Sequence, residues 1–271
     1  MKVDLIAGAR PNFMKIASII DAINVAQLEN KAIEYRLIHT GQHYDKNMSE
    51  SFFTQLSIPQ PHVNLGAGGG SQSEQTAAIM IGYEKLLMTE KSDLCLVVGD
   101  VNSTMACSIV AQKLHIPVAH VEAGIRSGDW TMPEEINRLV TDAITNFFFT
   151  TTLEASNKLK KSGITDDKIF WVGNTMIDTL LQNLDKLNEE SILKKNNIEK
   201  NKYFILTLHR PSNVDDYDKL KKVSVKYKKI FDLKSIIDSK KYENIICRTK
   251  NRKWSFGQST RNYSNFRKIW Q

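Results

Sequence analysis

The sequence predicts an α/β protein built on a doubly wound parallel sheet, and three observations carry that prediction. Short β-rich apolar runs alternate with longer stretches whose apolar residues recur at helical spacing. Turn-like residues, among them Gly8 to Asn12 and Gly99–Asp100, stand where a strand gives way to a helix. The composition, 41% hydrophobic and 25% charged over 271 residues, is that of a globular chain long enough for one large or two smaller domains.

The elements follow in order. KVDLIA, residues 2 to 7, is a strand, GARPN a turn, and FMKIASIIDAIN a helix with Arg10 and Lys15 at the junction. EYRLIHT runs into GQHYDKNMSESFFTQL, DLCLVVGD into VNSTMACSIVAQKLH, and PVAHVEA through a charged loop into INRLVTDAITN. FFFTT then precedes LEASNKLKKSG, and IFWVGN precedes TMIDTLLQNLDKLN. Strands alternating with helices in this way imply a Rossmann-like domain with helices on both faces, which binds ligands at the carboxyl ends of its strands.

The glycine cluster LGAGGGSQSEQTA, residues 65 to 77, does not fit the dinucleotide fingerprint, because no strand-like run directly precedes it. It reads as a flexible loop with Ser73 or Glu74 opening the next helix; a phosphate-contacting or lid loop is the functional alternative. Residues 1–172 are read as the N-terminal Rossmann-like domain and 173–200 as a crossover helix and linker. The strand YFILTLH then opens a second Rossmann-like domain over 201–220, and 221–271 is a divergent basic tail.

Charge follows that division. The net charge is +7, yet residues 219 to 271 hold 12 Lys and 4 Arg against 3 acidic residues, leaving the body mildly acidic. A nucleic-acid partner would use that tail, but one charged run is weak support, and the reading is of no nucleic acid. No run of eighteen apolar residues is present, so no membrane span is expected. The amino end reads as a strand and turn in place of a signal peptide, and the protein as cytoplasmic. Cys95, Cys107 and Cys247, at no metal-ligand spacing, are expected as free thiols, the first two buried.

The densest chemistry lies in Val118 to Asp142, VAHVEAGIRSGDWTMPEEINRLVTD, where acidic and basic side chains crowd between an apolar strand and a helix. Glu122 closes its strand, where a carboxylate suits proton transfer. Glu134 and Glu135 follow Pro133 in the first helical turn, where the dipole stabilises anions, and one of them can be a surface charge paired with Arg138. Asp100 ends LCLVVGD, either capping the next helix or facing a ligand at the sheet's carboxyl edge. Arg10 and Lys15 can meet an anion beside a helix amino terminus. His209, followed by Arg210 and Pro211 at a strand end, is read as a phosphate-binding position as readily as a core histidine. His43 is ambiguous on a polar loop, and His39 and His120 read as core.

With these residues assembled, the chain resembles the non-hydrolysing UDP-N-acetylglucosamine 2-epimerases of bacterial type. The resemblance rests on GARPNFMK, TGQHYD, VVGDVNSTMAC, HVEAGIRSGDWTMPEEINR, VGNTMID and LTLHRPSNVD, six segments in order. It implies a GT-B-like fold of two Rossmann-like domains and interconversion of UDP-GlcNAc and UDP-ManNAc with no cofactor or metal. A carboxylate would take the C2 proton as UDP leaves C1, and the 2-acetamidoglucal would be reprotonated on its other face before UDP returns. By motif position the resemblance makes Asp100, Glu122 and Glu134 the acid/base candidates, and Arg10, Lys15, His209 and Arg210 substrate-binding. Gln42 and His43 match part of a second, regulatory nucleotide-sugar site, and a homodimer is implied.

The sequence departs from the family beyond about Leu220. A His-Pro segment and a TDSGG-x-QEE-like segment of the family's second domain do not occur. The expectation is therefore an incomplete second domain, its remainder replaced by truncation or frameshift, and little turnover. The alternatives are a non-catalytic nucleotide-sugar-binding or regulatory module and, more remotely, a GT-B glycosyltransferase.

Overall fold

The computed structural model describes residues 1–41, 53–54, 56–186, 193–194 and 199. Its strands are β1 (Lys2–Ala7), β2 (Glu34–His39), β3 (Val63–Asn64), β4 (Leu94–Val98), β5 (Val118–Val121), β6 (Phe147–Thr150) and β7 (Ile169–Trp171). Among the described residues, six α-helices with defined bounds lie between or after them: α1 (Arg10–Leu28), α2 (Gln72–Thr89), α3 (Asn102–Lys113), α4 (Pro133–Ala143), α5 (Leu153–Lys161) and α6 (Thr175–Gln182).

The seven strands form one sheet in the order β3-β2-β1-β4-β5-β6-β7, with every pairing parallel. This is the doubly wound arrangement expected from the alternating pattern, and the strand order reverses between β1 and β4. A crevice outside the carboxyl ends of those two strands is where such sheets receive ligands. Six strands fall where the sequence predicts them. The two-residue β3 escapes prediction because it has no periodicity of its own and exists only by pairing with Ile38 and His39.

Alternation along the strands builds two cores. Val3, Leu5 and Ala7 of β1, with Leu96 and Val98 of β4 and Ala119 and Val121 of β5, face Phe13, Ile16, Ile20 and Ile23 of α1. The opposite positions, Ile6, Cys95, Val97 and Val118, pack with Ile79 and Tyr83 of α2 and with Ala106, Cys107 and Val110 of α3. Burial pushes the Cys95 thiol up to about 12, as befits an inert core thiol. Cys95 and Cys107 are free and buried as expected, while Cys247 lies outside the described residues.

One charge in the apolar strand β1 is accounted for by its partners. The fully buried Asp4 accepts two hydrogen bonds from Arg36 of β2, at 2.8 and 2.9 Å, and a third from the Tyr83 hydroxyl at 2.9 Å. A buried carboxylate held by a guanidinium fork and a phenol is satisfied on both oxygens.

The helix after the glycine cluster starts earlier than expected. Ser71 is its N-cap, accepting from the Glu74 amide at 3.2 Å while Glu74 accepts from the Ser71 amide at 2.7 Å. Glu74 therefore closes a capping box from the third helical position instead of opening the helix. No described helix is long and apolar enough to cross a membrane. The predicted second-domain strand and the basic tail lie outside the described residues.

Candidate active site

The carboxyl ends of β4 and β5 carry Asp100 and Glu122 side by side, and α1 reaches across to them. Lys15, buried one turn into α1, places its ammonium 2.6 Å from Glu122 Oε2. Gly99 passes directly over that pair: a Cβ built there would sit 2.9 Å from Lys15 Nζ and 3.7 Å from Glu122 Oε2. A Cβ there would push the Lys15 ammonium aside, and φ of +71° is a conformation that favours glycine. Asn12 secures the crossing from beneath, accepting from the Ala9 amide at 2.8 Å and donating to the Val98 carbonyl at 2.9 Å.

Glu122 itself adopts φ of +74°, a left-handed conformation that a residue with a side chain rarely takes. Held backbone strain of this kind clusters at functional positions. Gly124 follows at φ +76°, packed so closely on α5 that a Cβ would lie 2.5 Å from the Ala155 carbonyl oxygen.

Asp100 does not cap α3: Val101 is the N-cap, and it makes no side-chain cap bond. The Asp100 carboxylate instead pairs with Arg138 of α4. The second guanidinium nitrogen of Arg138 donates to Glu135 at 2.9 Å. Glu135 also accepts from the Ser127 amide (2.8 Å), the Ser127 hydroxyl (3.0 Å) and the Gly128 amide (3.1 Å). Burial pushes its carboxyl up, but the two amides, Arg138 and the hydroxyl overcome this and hold it down to about 2.

That settles the Glu134–Glu135 pair in an unexpected way. The acid bonded to Arg138 is no surface charge; it is buried and fastens the loop from Ser127 to the start of α4. Glu134, partly buried in the first turn, lies one helical turn from Arg138 on the same face, and so on the side of α4 that reaches Asp100. Arg10, the first residue of α1, is exposed at the same edge.

The structure thus brings Lys15 against Glu122 beneath Gly99, with Asp100 the next residue and paired to Arg138, Glu134 one helical turn before Arg138 on α4, and Arg10 exposed at the start of α1. Gln42, His43, His209 and Arg210 lie outside the described residues. Several polar side chains that the sequence reading passes over surround the cluster. Asn137 donates to the Asp100 carbonyl at 2.9 Å and to Asn102 at 3.2 Å, and Asn102 in turn donates to Gln72 and Gln75. Asn and Gln within helical patterns signal nothing individually; only their spacing toward one sheet edge could have raised them.

The two core histidines differ. His39 stacks on Phe13 with ring centroids 5.2 Å apart. His120, equally buried, is polar in function: Nε2 lies 2.8 Å from the Gly99 carbonyl oxygen and Nδ1 2.7 Å from Asp142 Oδ1. Asp142 Oδ2 accepts from the Gly124 amide at 3.0 Å and meets Arg126 at 2.7 Å. Burial raises the Asp142 carboxyl, while His120 and Arg126 outweigh burial and hold it below the usual carboxylate range. Among the described residues no His, Cys, Asp and Glu cluster could hold a metal ion.

Fold and site together define the class: a doubly wound α/β protein with paired acids and cations at the switch point of a parallel sheet. Comparison with known proteins makes it specific. The family model described as UDP-N-acetylglucosamine 2-epimerase matches residues 26–238. The chain is 44% identical over 255 residues to the UDP-N-acetylglucosamine 2-epimerase of Methanocaldococcus jannaschii, covering 93% of this chain and 68% of that protein. It is 39% identical over 218 residues to the UDP-2,3-diacetamido-2,3-dideoxy-D-glucuronate 2-epimerase of Pseudomonas aeruginosa, covering 80% and 59% of the two chains. The crystal structure of the M. jannaschii enzyme in complex with UDP-GlcNAc and UDP superposes with a TM-score of 0.73 at 46% identity, covering 82% of this chain and 60% of that one. The chain belongs to the UDP-N-acetylglucosamine 2-epimerase family, and its fold is α/β and GT-B-like, as in these solved relatives. It is shorter than they are, while the matches run past Leu220, where the sequence reading ends the family-like pattern.

Proposed function

We propose that this protein is a cytoplasmic UDP-GlcNAc 2-epimerase, interconverting UDP-GlcNAc and UDP-ManNAc, and that it works as a homodimer. The observation that carries the reading is the meeting of Lys15 and Glu122 beneath Gly99, with Asp100 the next residue along that turn, on a chain 44% identical to an epimerase of that name. Inversion at C2 needs a group to remove the proton from one face and a group to deliver one to the other. It also needs cations where negative charge collects on the departing diphosphate.

In this reading Glu122, Asp100 and Glu134 are the acid/base groups. One of them takes the C2 proton as the bond from C1 to the diphosphate oxygen breaks, leaving a C1–C2 double bond and free UDP. Protonation of C2 from the opposite face and return of the diphosphate oxygen to C1 give the epimer. Lys15 positions Glu122, and Arg138 does the same for Asp100. Arg10, His209 and Arg210 are assigned to the substrate, and Gln42 and His43 to a regulatory nucleotide-sugar site.

Incubating the purified chain with UDP-GlcNAc and following the sugar protons by NMR tests this. Slow growth of UDP-ManNAc toward an equilibrium mixture is the expected result, in keeping with the low turnover expected from the sequence. Calorimetric binding of UDP-GlcNAc with no ManNAc formed would instead identify a nucleotide-sugar-binding module.

A further inference from the structure

The turns that carry Asp100 and Glu122 are fastened to a single buried pair. Gly99, whose peptide leads into Asp100, offers its carbonyl oxygen to His120 Nε2 at 2.8 Å. A carbonyl oxygen only accepts, so Nε2 is the donor in this bond. The other ring nitrogen meets Asp142 Oδ1 at 2.7 Å, and Asp142 Oδ2 receives the amide of Gly124, two residues beyond Glu122. The same carboxylate pairs with Arg126, which opens the loop fastened by Glu135. His120 is 1% exposed and Asp142 5%, so water does not compete for these bonds.

Both fastened turns are backbone positions that need fastening. Gly99 (φ +71°), Glu122 (φ +74°) and Gly124 (φ +76°) are all left-handed, and a left-handed residue with a side chain holds its conformation only where its surroundings impose it. Strand β5 supplies His120 and α4 supplies Asp142, while Asp100 follows β4. One imidazole–carboxylate contact therefore sets the separation of three elements that carry Asp100, Glu122 and Glu134. Ordinary core packing would be met by any apolar side chain of this volume, yet here each polar atom of the pair is spent on a backbone or side chain of the site.

We infer that His120 and Asp142 are positioning residues, acting through the Gly99 and Gly124 turns to hold Asp100 and Glu122 at the separation the C2 chemistry requires. The inference takes its chemistry from the epimerase reading above. The Asp142 carboxylate anchors the assembly and His120 carries the constraint from α4 through β5 to β4. Neither side chain touches substrate.

The test compares the wild-type chain with His120→Leu, His120→Gln and Asp142→Asn. For each, kcat and KM for UDP-GlcNAc are measured, together with thermal melting and amide hydrogen exchange at Gly99 and Gly124. Leucine fills the space without a donor, whereas glutamine restores an N–H able to reach the Gly99 carbonyl. His120→Leu and Asp142→Asn should lose kcat by on the order of 10²-fold, the penalty for misplacing reacting groups by about an ångström. KM should stay within about twofold, and His120→Gln should regain part of the loss. Faster exchange of the Gly124 amide in Asp142→Asn should accompany this. Leucine and glutamine variants of equal kcat, or Asp142→Asn with wild-type kcat, would overturn the inference. If the wild-type chain itself shows no turnover, the epimerase reading falls, and the pinning is decided by amide exchange alone: accelerated at Gly124 in Asp142→Asn supports it, unchanged refutes it. Should the leucine variant fail to fold, Asp142→Asn against His120→Gln decides the same question.

Discussion

Lys15 and Glu122, 107 residues apart in sequence, meet at 2.6 Å beneath the Gly99 backbone, and neither is well exposed to water. The ammonium comes from the first helix of the fold and the carboxylate from the end of the fifth strand, on opposite sides of the switch point. Each makes the burial of the other tolerable, because a charge removed from water must be paired or neutralised.

A double-mutant cycle exposes that dependence. Lys15→Met and Glu122→Gln should each destabilise the protein, since each strands a partner away from water. The double variant should recover part of the loss, with a coupling of about 0.5–3 kcal/mol in urea unfolding. Strict additivity of the two single changes would mean the pair contributes nothing to the fold.

Gly99→Ala and Gly128→Ala together separate the close contact from the backbone conformation. The left-handed backbone costs about 1–2 kcal/mol for a residue with a Cβ, and that Cβ displaces the Lys15 ammonium from 2.9 Å. Gly128→Ala bears the same backbone cost at φ +72° but meets nothing within 4 Å. Gly128→Ala should lose stability through its backbone alone and Gly99→Ala should lose more in thermal melting, and Gly99→Ala alone should lose most of its turnover. Equal activities would remove the Gly99 crossing from the account.

The loop before α4 should loosen in acid. With its carboxyl held down to about 2, below the ordinary 4.5, Glu135 is depressed in the folded state. Its contribution to stability is fully present above pH 4.5 and is lost as the pH falls from there through about 2. Glu135→Gln should therefore cost about 1–3 kcal/mol at neutral pH and leave a flatter stability profile across that acid range. A variant whose profile parallels the wild type would show that Ser127, Gly128 and Arg138 do not depend on the charge.

The sequence made some of this legible and concealed the rest for physical reasons. Strands such as KVDLIA and LCLVVGD announce themselves because a parallel strand is buried on both faces and must be continuously apolar. Asp100 and Glu122 were visible because each is an acid ending such a run. Lys15 was a candidate through its apolar neighbours, but its partner was not, because a contact across 107 residues depends on strand order. The roles of Glu134 and Glu135 could not be separated by position in a helical turn; the Ser127–Gly128 loop folding back on Glu135 separates them. His120 read as core from its apolar flanks, and burial bore that out, yet its two hydrogen bonds depend on α4 and on the turn after β4.

In the proposed reaction Glu122, Asp100 and Glu134 exchange the proton at C2 of a UDP-linked 2-acetamido sugar. Incubation of the wild-type chain with UDP-GlcNAc in deuterated water, read by proton NMR at C2, tests it most directly. The expected result is loss of the C2 proton signal as deuterium enters, with UDP-ManNAc labelled at the same position, and no exchange in Glu122→Gln. A wild-type chain that binds UDP-GlcNAc and leaves its C2 proton in place, or a Glu122→Gln variant that exchanges it as fast, would rule out these carboxylates as the acid/base groups.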